Sequence, residues 1–494
     1  MKFKNTRLNK LTCAVASAVV FSTIGLTLPA SANPSPNIPT SSSLNPFFDE
    51  SKLTGGLYFW SRERTRKNVA WGDTVYKPNL VHTASNLVLD YKSGYAADMF
   101  GIELAGVGAL SISDTTPYTV NEIALSNCRS WSQKFDHGGD ENCGGTNRSG
   151  AKIFRAAAKF KSDPIWINAG YIQPQGQTIL TNNWSFTPGA YQGAEIGGNF
   201  DFGTAGALST SYMWVNRYMA PWHTRMDKFY QKDGRNTRVS YAHSAGFKYD
   251  FKNDFSIESA FGQTEGFIDY YLGRANYKFD VMNRPLSASY GFYAANDKAE
   301  DNTINDVYDG TAWKQALMFG YKVDDVSIRL EGTWIHAEGR SGEFGGNLFK
   351  NYASGDGRGD IWWDNRSDFN ANGQKAIFLG LNYALDDWDL KGWNVNTSGV
   401  YAWDAKPVTW RFDEALGQRV DDIDQNQRIK ERAYSVGLNY TVQDGRAKGT
   451  YFSLYYTQFF NDNSKLGSYD ASFPNIFQDE KDFKAMVIIP FTII

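Results

Sequence analysis

Ile328-Arg329-Leu330-Glu331-Gly332-Thr333-Trp334 alternates apolar and polar side chains residue by residue. In an extended chain successive side chains point to opposite faces. Ile328, Leu330 and Trp334 therefore share one face, and Arg329, Glu331 and Thr333 share the other. The same division recurs elsewhere. Leu53, Gly55, Leu57 and Phe59 oppose Tyr58, Trp60, Arg62 and Arg64. Phe154, Ala156, Ala158 and Phe160 oppose Arg155, Ala157 and Lys159, and Tyr271, Ala275, Tyr277 and Phe279 oppose Arg274 and Lys278. An Arg or Lys turned toward hydrocarbon near a bilayer midplane costs about 2–4 kcal/mol. If these strands cross a membrane, the charged face must line an interior.

Working outward from 326–337, eighteen such segments can be traced. They are 53–64, 85–91, 100–110, 152–160, 165–172, 194–202, 208–216, 239–251, 255–262, 270–279, 286–295, 313–322, 326–337, 376–384, 395–403, 433–442, 451–459 and 483–493. The connections after even-numbered segments are mostly short, such as Ser162-Asp163-Pro164 and Asp324-Asp325. Those after odd-numbered segments are mostly long, such as 65–84, 111–151, 217–238, 338–374 and 404–432. Short turns at one end and long loops at the other mark a transmembrane antiparallel β-barrel, with both termini on the periplasmic side. Mean hydropathy is −0.46, and no apolar run of about 18 residues, the length a helical span needs, follows residue 32. The barrel is then the one membrane-crossing option. Eighteen strands enclose a lumen too wide for side chains to fill, so the chain reads as an all-β pore.

The first 32 residues read as a secretory signal. Lys2, Lys4, Arg7 and Lys10 precede an apolar stretch over 11–28, then Pro29 and the small-residue site Ala30-Ser31-Ala32. A retained anchor fits this cleavage site less well, and Cys13 precedes the apolar region rather than following it, unlike a lipoprotein box. Residues 33–494 form a single barrel domain in this reading. Removing four basic residues with the signal leaves 46 basic against 53 acidic, a net charge of −7. That balance argues against a nucleic-acid partner, which calls for a basic face. Cys128 and Cys143 remain in a polar, Gly-rich stretch and are expected to form one loop disulfide in an oxidising compartment. A metal site using His137 between them matches no standard zinc spacing, and no metal or cofactor is expected.

Arg62, Arg64, Arg155, Arg274, Lys278 and Arg329 face the lumen by parity, with Glu103, Glu195, Glu258 and Glu331 elsewhere on the wall. A basic ladder could draw anions inward. Alternatively, opposed Arg and Glu could hydrogen-bond the hydroxyl and amide groups of a neutral solute, or the charges could simply pair and hold the wall. Most of the 15 Trp residues are expected in interfacial girdles. Trp60 departs from that by parity, and Trp184 by its place in the third loop, 173–190, which folds into the bore in many large porins. Aromatic rings of this kind could stack on the C–H faces of sugar rings.

The seventh loop carries Arg358-Gly359-Asp360, a tripeptide that recurs by chance, and Trp362-Trp363, read as capping the outer mouth or packing at the rim. Asp421, Asp422 and Asp424 lack the ligand spacing of a dedicated calcium site. The five His residues, at 82, 137, 223, 243 and 336, lie in no nucleophile motif, so an enzyme is not expected.

Several blocks carry a resemblance. Residues 93–101 (SGYAADMFG), 170–174 (GYIQP) and 186–193 (FTPGAYQG) resemble the OprD family of substrate-selective outer-membrane porins. Residues 362–373 (WWDNRSDFNANG), 401–407 (YAWDAKP), 443–449 (QDGRAKG) and 486–493 (MVIIPFTI) are similar to its chitoporin branch. The resemblance spans nearly the whole mature chain. It implies an eighteen-strand barrel for passive uptake of chitin-derived oligosaccharides, with loop 3 and basic wall residues forming the constriction. The translocation path would run past Trp60, Arg62, Arg64, Arg155, Trp184, Phe186, Arg274, Arg329 and Glu331. Elsewhere the wider family passes basic amino acids, peptides or small carboxylates, and an adhesin or receptor barrel is a further alternative. Implied partners are the oligosaccharide, outer-membrane lipid and lipopolysaccharide, and the barrel-assembly machinery. The chain departs from the family pattern in ending on Ile494 where an aromatic residue is usual, and in its cysteine-bearing loop 2. Monomer and trimer stay undecided.

Overall fold

The computed structural model describes residues 46–66, 69–71, 74–76, 79–114, 123–126, 148–181, 185–231, 237–345, 363–413, 415–462, 472–473, 476 and 479–494. Residues 1–32, read above as a secretory signal, together with Cys128, Cys143, His137, Trp184, Arg358-Gly359-Asp360 and Trp362, lie outside the described residues. One antiparallel sheet holds eighteen strands. They are β1 Lys52–Arg66, β2 Asn79–Lys92, β3 Phe100–Asp114, β4 Gly150–Ser162, β5 Ile165–Ile172, β6 Ala190–Asp201, β7 Ala207–Met219, β8 Ala242–Asp250 and β9 Phe255–Thr264. Then follow β10 Ile268–Val281, β11 Arg284–Asp297, β12 Ala312–Val323, β13 Val326–His336, β14 Lys375–Ala384, β15 Trp393–Ala405, β16 Ile429–Thr441, β17 Tyr451–Asn461 and β18 Glu480–Thr492. Each expected segment falls on one of these strands.

The sheet closes on itself. β1 pairs with β2 on one side and with β18 on the other, from Thr54↔Thr492 to Arg66↔Glu480. Closure matters because hydrocarbon offers no water to an unpaired backbone N–H or C=O, and a closed ladder has no edge. Alternation follows the pleat. β16 alternates buried and exposed through its first eleven residues. The exposed side chains form an apolar outer belt that includes Leu57, Phe59, Ile102, Leu104, Leu330, Ile377, Leu379, Val436, Leu438 and Leu454.

One sequence expectation changes here. Strict alternation puts Phe154 with Ala156 and Ala158 on the lipid face. The register between β3 and β4 instead runs Ala105↔Arg155 and then Gly106↔Ile153, so Phe154 is bulged out of the count. A bulge sets two residues against one and reverses the alternation beyond it. Ile153 therefore faces out at 53% exposure while Phe154 is buried inside at 2%. The loops sort by length as expected, mostly long at one end, with one short member. β9 and β10 are joined by only Glu265-Gly266-Phe267, with Gly266 at φ +63°, so one connection at the long-loop end is a tight turn.

At the opposite end a helical turn, Pro46–Asp49, precedes β1 and seats against the first short turn. Gly94 N–H donates to the Phe47 carbonyl at 2.9 Å. A Cβ on Gly94 would lie 1.9 Å from the Pro46 carbonyl oxygen, so this approach needs glycine.

The face assignment has a direct consequence for stability. Leu330→Arg, on the lipid face, is expected to destabilise the barrel by about 2–4 kcal/mol, read as a lower urea midpoint for folding into lipid vesicles. Ser287→Arg, on the inner face of β11, is expected to leave that midpoint unchanged. Equal effects would refute the inside–outside assignment.

Candidate functional site: the loop-lined lumen

Eighteen strands leave an aqueous bore, and among the described residues loops 3 and 7 reach into it from the long-loop end. Loop 3 leaves β5 at Gln173 and lies along the inner wall. The N–H groups of Gln175 and Gly176 both donate to the Glu195 carboxylate of β6, each at 2.9 Å. Ile179 N–H donates to Ser244 Oγ of β8 at 2.8 Å, and Ile179 itself is fully buried. Small residues make the wall shallow enough to receive the loop. A Cβ on Gly246 would lie 1.8 Å from the Gln177 carbonyl oxygen. The returning limb is held by Lys152, whose ammonium donates to the Thr187, Ala220 and Pro221 carbonyls.

Phe186 on that limb meets Trp60 edge-on with ring centroids 4.8 Å apart, and Tyr58 at 5.4 Å. Trp60 does sit on the inner face, as parity required. Its ring is 8% exposed, and Phe186 is 2% exposed. The two therefore form an anchor for loop 3.

Loop 7 also lies inside the bore, and there it departs from the sequence expectation. Its place in a long outer loop suggests that Trp363 caps the mouth or packs at the rim. It lies inside the bore, stacked on Phe378 of β14 with centroids 5.1 Å apart and planes 3° from parallel. Its Nε1–H donates to the Glu331 carboxylate of β13 at 2.5 Å. The next residues cross the strands that follow. The Asp364 carbonyl accepts from Ser435 Oγ, Tyr455 OH and Thr457 Oγ1 at 3.0–3.3 Å. Asn365 donates to Ser435 Oγ at 2.8 Å and to Ser398 Oγ at 3.2 Å. Ion pairs from Asp364 to Lys484 and from Arg366 to Glu480 complete the attachment to β18. Further along the loop, burial pushes the Asp368 carboxyl above its usual range, with Arg366 and Lys314 pulling it back.

The five arginines expected on the wall are all on the inner face, and each has a carboxylate partner, whereas Lys278 stands exposed near the short-turn end of β10. Arg62 reaches Asp482 at 2.6 Å, and Arg64 reaches Asp482 at 2.8 Å and Glu480 at 3.9 Å. Arg155 pairs with Asp90 at 2.9 Å and Glu103 at 3.6 Å, and also donates to Gln173 at the base of loop 3. Arg274 meets Glu258 at 3.5 Å and the Tyr293 hydroxyl at 3.1 Å. Arg329 pairs with Glu331 at 2.7 Å beneath Trp363. These residues do not converge on one pocket but ring the bore.

The acids Asp90, Glu480 and Asp482 were missed. Alternation along Glu480-Lys481-Asp482-Phe483-Lys484 marks three of its charges as inward, so the signal was present in the last strand.

If loops 3 and 7 set the open cross-section, loosening either widens the pore. Glu195→Ala removes the acceptor of two backbone hydrogen bonds, worth about 0.5–1.5 kcal/mol each. Trp363→Ala removes a further one together with the ring stack. Each variant is expected to show higher single-channel conductance and noisier open current. Wild-type conductance in both would mean that the loops do not set the constriction.

The profile of the OprD family of outer membrane porins matches residues 45–472. A chitoporin of Escherichia coli (strain K12) is 54% identical over 449 residues, covering 90% of this chain and 92% of that protein. Among solved structures, Acinetobacter baumannii OccAB1 superposes with a TM-score of 0.69 at 16% identity, over 91% of this chain and 98% of that one. Pseudomonas aeruginosa OpdK, solved with vanillate, gives 0.64 at 14% identity, over 90% of this chain and all of that one. Identities this low speak to the fold alone. The closed eighteen-strand barrel, its in-folded third loop and the match over most of the chain agree: this chain belongs to the OprD family and is an outer-membrane porin.

Proposed function

We propose that this porin passively takes up chitin-derived oligosaccharides and carries out no chemistry on them. One observation supports a neutral solute: Arg62, Arg64, Arg155, Arg274 and Arg329 are each matched by a carboxylate within 3.5 Å or less. Opposite charges held this close leave little net field to draw ions, but they keep donors and acceptors at fixed places. Hydroxyl and acetamido groups can exchange hydrogen bonds with such a wall as they pass. Conduction also needs binding weak enough to release the solute, which neutral groups on paired charges provide. The chitoporin relative, at 54% identity, supports the same substrate class.

In this reading the solute slides along Arg62, Arg64, Arg155, Arg274, Arg329 and Glu331. Trp60 and Phe186 keep loop 3 in place, and Trp184 is the ring on that loop proposed to stack on sugar. An uptake route for carboxylates would call for unmatched cations at the same positions.

Two measurements on the purified protein in planar bilayers test this. Chitohexaose is expected to produce resolved, saturable current blockades, and equal indifference to chitohexaose and maltohexaose would sink the proposal. In a KCl gradient the reversal potential is expected to stay near zero. Strong anion selectivity would point to the carboxylate alternative.

A further inference from the structure

The inner wall is not uniform. Its charged pairs lie on β18 and β1 to β4, on β9 and β10, and at Arg329–Glu331 of β13, whereas the periplasmic end of β13 to β17 below Arg329 carries neutral amides and hydroxyls. Ser327 of β13 sits opposite Asn382 of β14, which sits opposite Asn396 of β15. One rung toward the periplasm, Asn394 of β15 is opposite Asn439 of β16, which is opposite Ser453 of β17. Their inward orientation follows from the neighbours in sequence: Leu381, Val395, Leu438, Phe452 and Leu454 all belong to the exposed outer belt. None of the six inward residues is charged.

The patch is also preorganised. Asn439 Nδ2 donates to Asn394 Oδ1 at 2.8 Å, and the Tyr451 hydroxyl donates to Asn439 Oδ1 at 2.8 Å. Asn396 lies flat over Gly437, where a Cβ would fall 2.3 Å from its Oδ1. Asn396 and Asn439 are thereby nearly closed off, while Asn382 and Asn394 stay half-exposed on the inner face. The patch begins one rung below Ser398 and Ser435, which bind Asn365 of loop 7. A solute leaving the constriction meets it next.

We propose that Asn382 and Asn394, backed by Asn396, Asn439 and Tyr451, form an exit-side subsite that recognises the acetamido group of N-acetylated sugars. A carboxamide side chain offers both donors and an acceptor, the same complement an acetamido group presents in reverse. A hydroxyl-only glucan lacks that match. Because it is uncharged, the site holds the sugar briefly and lets it go. This inference rests on the sugar-uptake reading above.

The test uses the full-length porin in planar bilayers, with chitohexaose and maltohexaose as probes, comparing wild type with the Asn382→Ala/Asn394→Ala double variant. With a neutral hydrogen bond worth about a factor of a few, chitohexaose dwell times are expected to fall roughly five- to tenfold in the double variant. Maltohexaose dwell times and open-channel conductance are expected to change less than about twofold, the conductance also reporting that the barrel has folded. Wild-type chitohexaose dwell times in the variant, or equal shortening for both sugars, would overturn the subsite while leaving the uptake reading intact. A wild-type channel that chitohexaose never blocks would overturn both.

Discussion

Pairing of every backbone N–H and C=O within the membrane constrains this molecule before any side chain does. Hydrocarbon leaves each unpaired group several kcal/mol out of balance. β1 accordingly meets β18 over a register that runs from Thr54↔Thr492 to Arg66↔Glu480. Once the ladder closes, the pleat sorts side chains by parity into an apolar belt and a polar bore. Leu330 and Arg329 are neighbours in sequence and sit in opposite solvents, one 45% exposed on the belt and the other paired with Glu331 inside.

A closed ring of eighteen strands creates a second constraint, because its bore is too wide for wall side chains to span. Selectivity then depends on chain that returns into the lumen. Loops 3 and 7 do this from different arcs of the wall and by different means. Loop 3 uses backbone N–H groups aimed at one carboxylate, Glu195, over a floor opened by Gly246. Loop 7 uses side chains: the Trp363 ring on Phe378, its indole N–H on Glu331, and ion pairs to β18. The charges of the wall do double duty, since Arg155 and Glu331 both line the bore and brace a loop.

Parity was a dependable guide wherever strands pair without interruption. It placed Trp60, Arg62, Arg64, Arg274, Arg329 and Glu331 on the inner face, as the burial pattern has them. It failed at Phe154, because a bulge depends on the partner strand's register, and nothing in 152–160 alone announces the extra residue. It was also silent on loops. Trp363 carries the same letters whether it caps a rim or lies in a bore, and only its proximity to Glu331 and Phe378, 32 and 15 positions away, decides between them.

The sequence by itself determined the architecture: a period-two pattern repeated eighteen times, turns sorted by length, and charges gathered mainly on one parity. These are local properties, set by neighbours one or two residues apart, so they survive without knowledge of the fold. It also marked which cations face inward. Tertiary structure alone decided what those cations do. Arg62 and Arg64 meet Asp482 across more than 400 residues of chain, through the seam that closes the barrel. Whether a wall of arginines attracts anions or stands neutral depends on such partners, and Coulomb pairing is a matter of ångströms in space rather than positions in sequence.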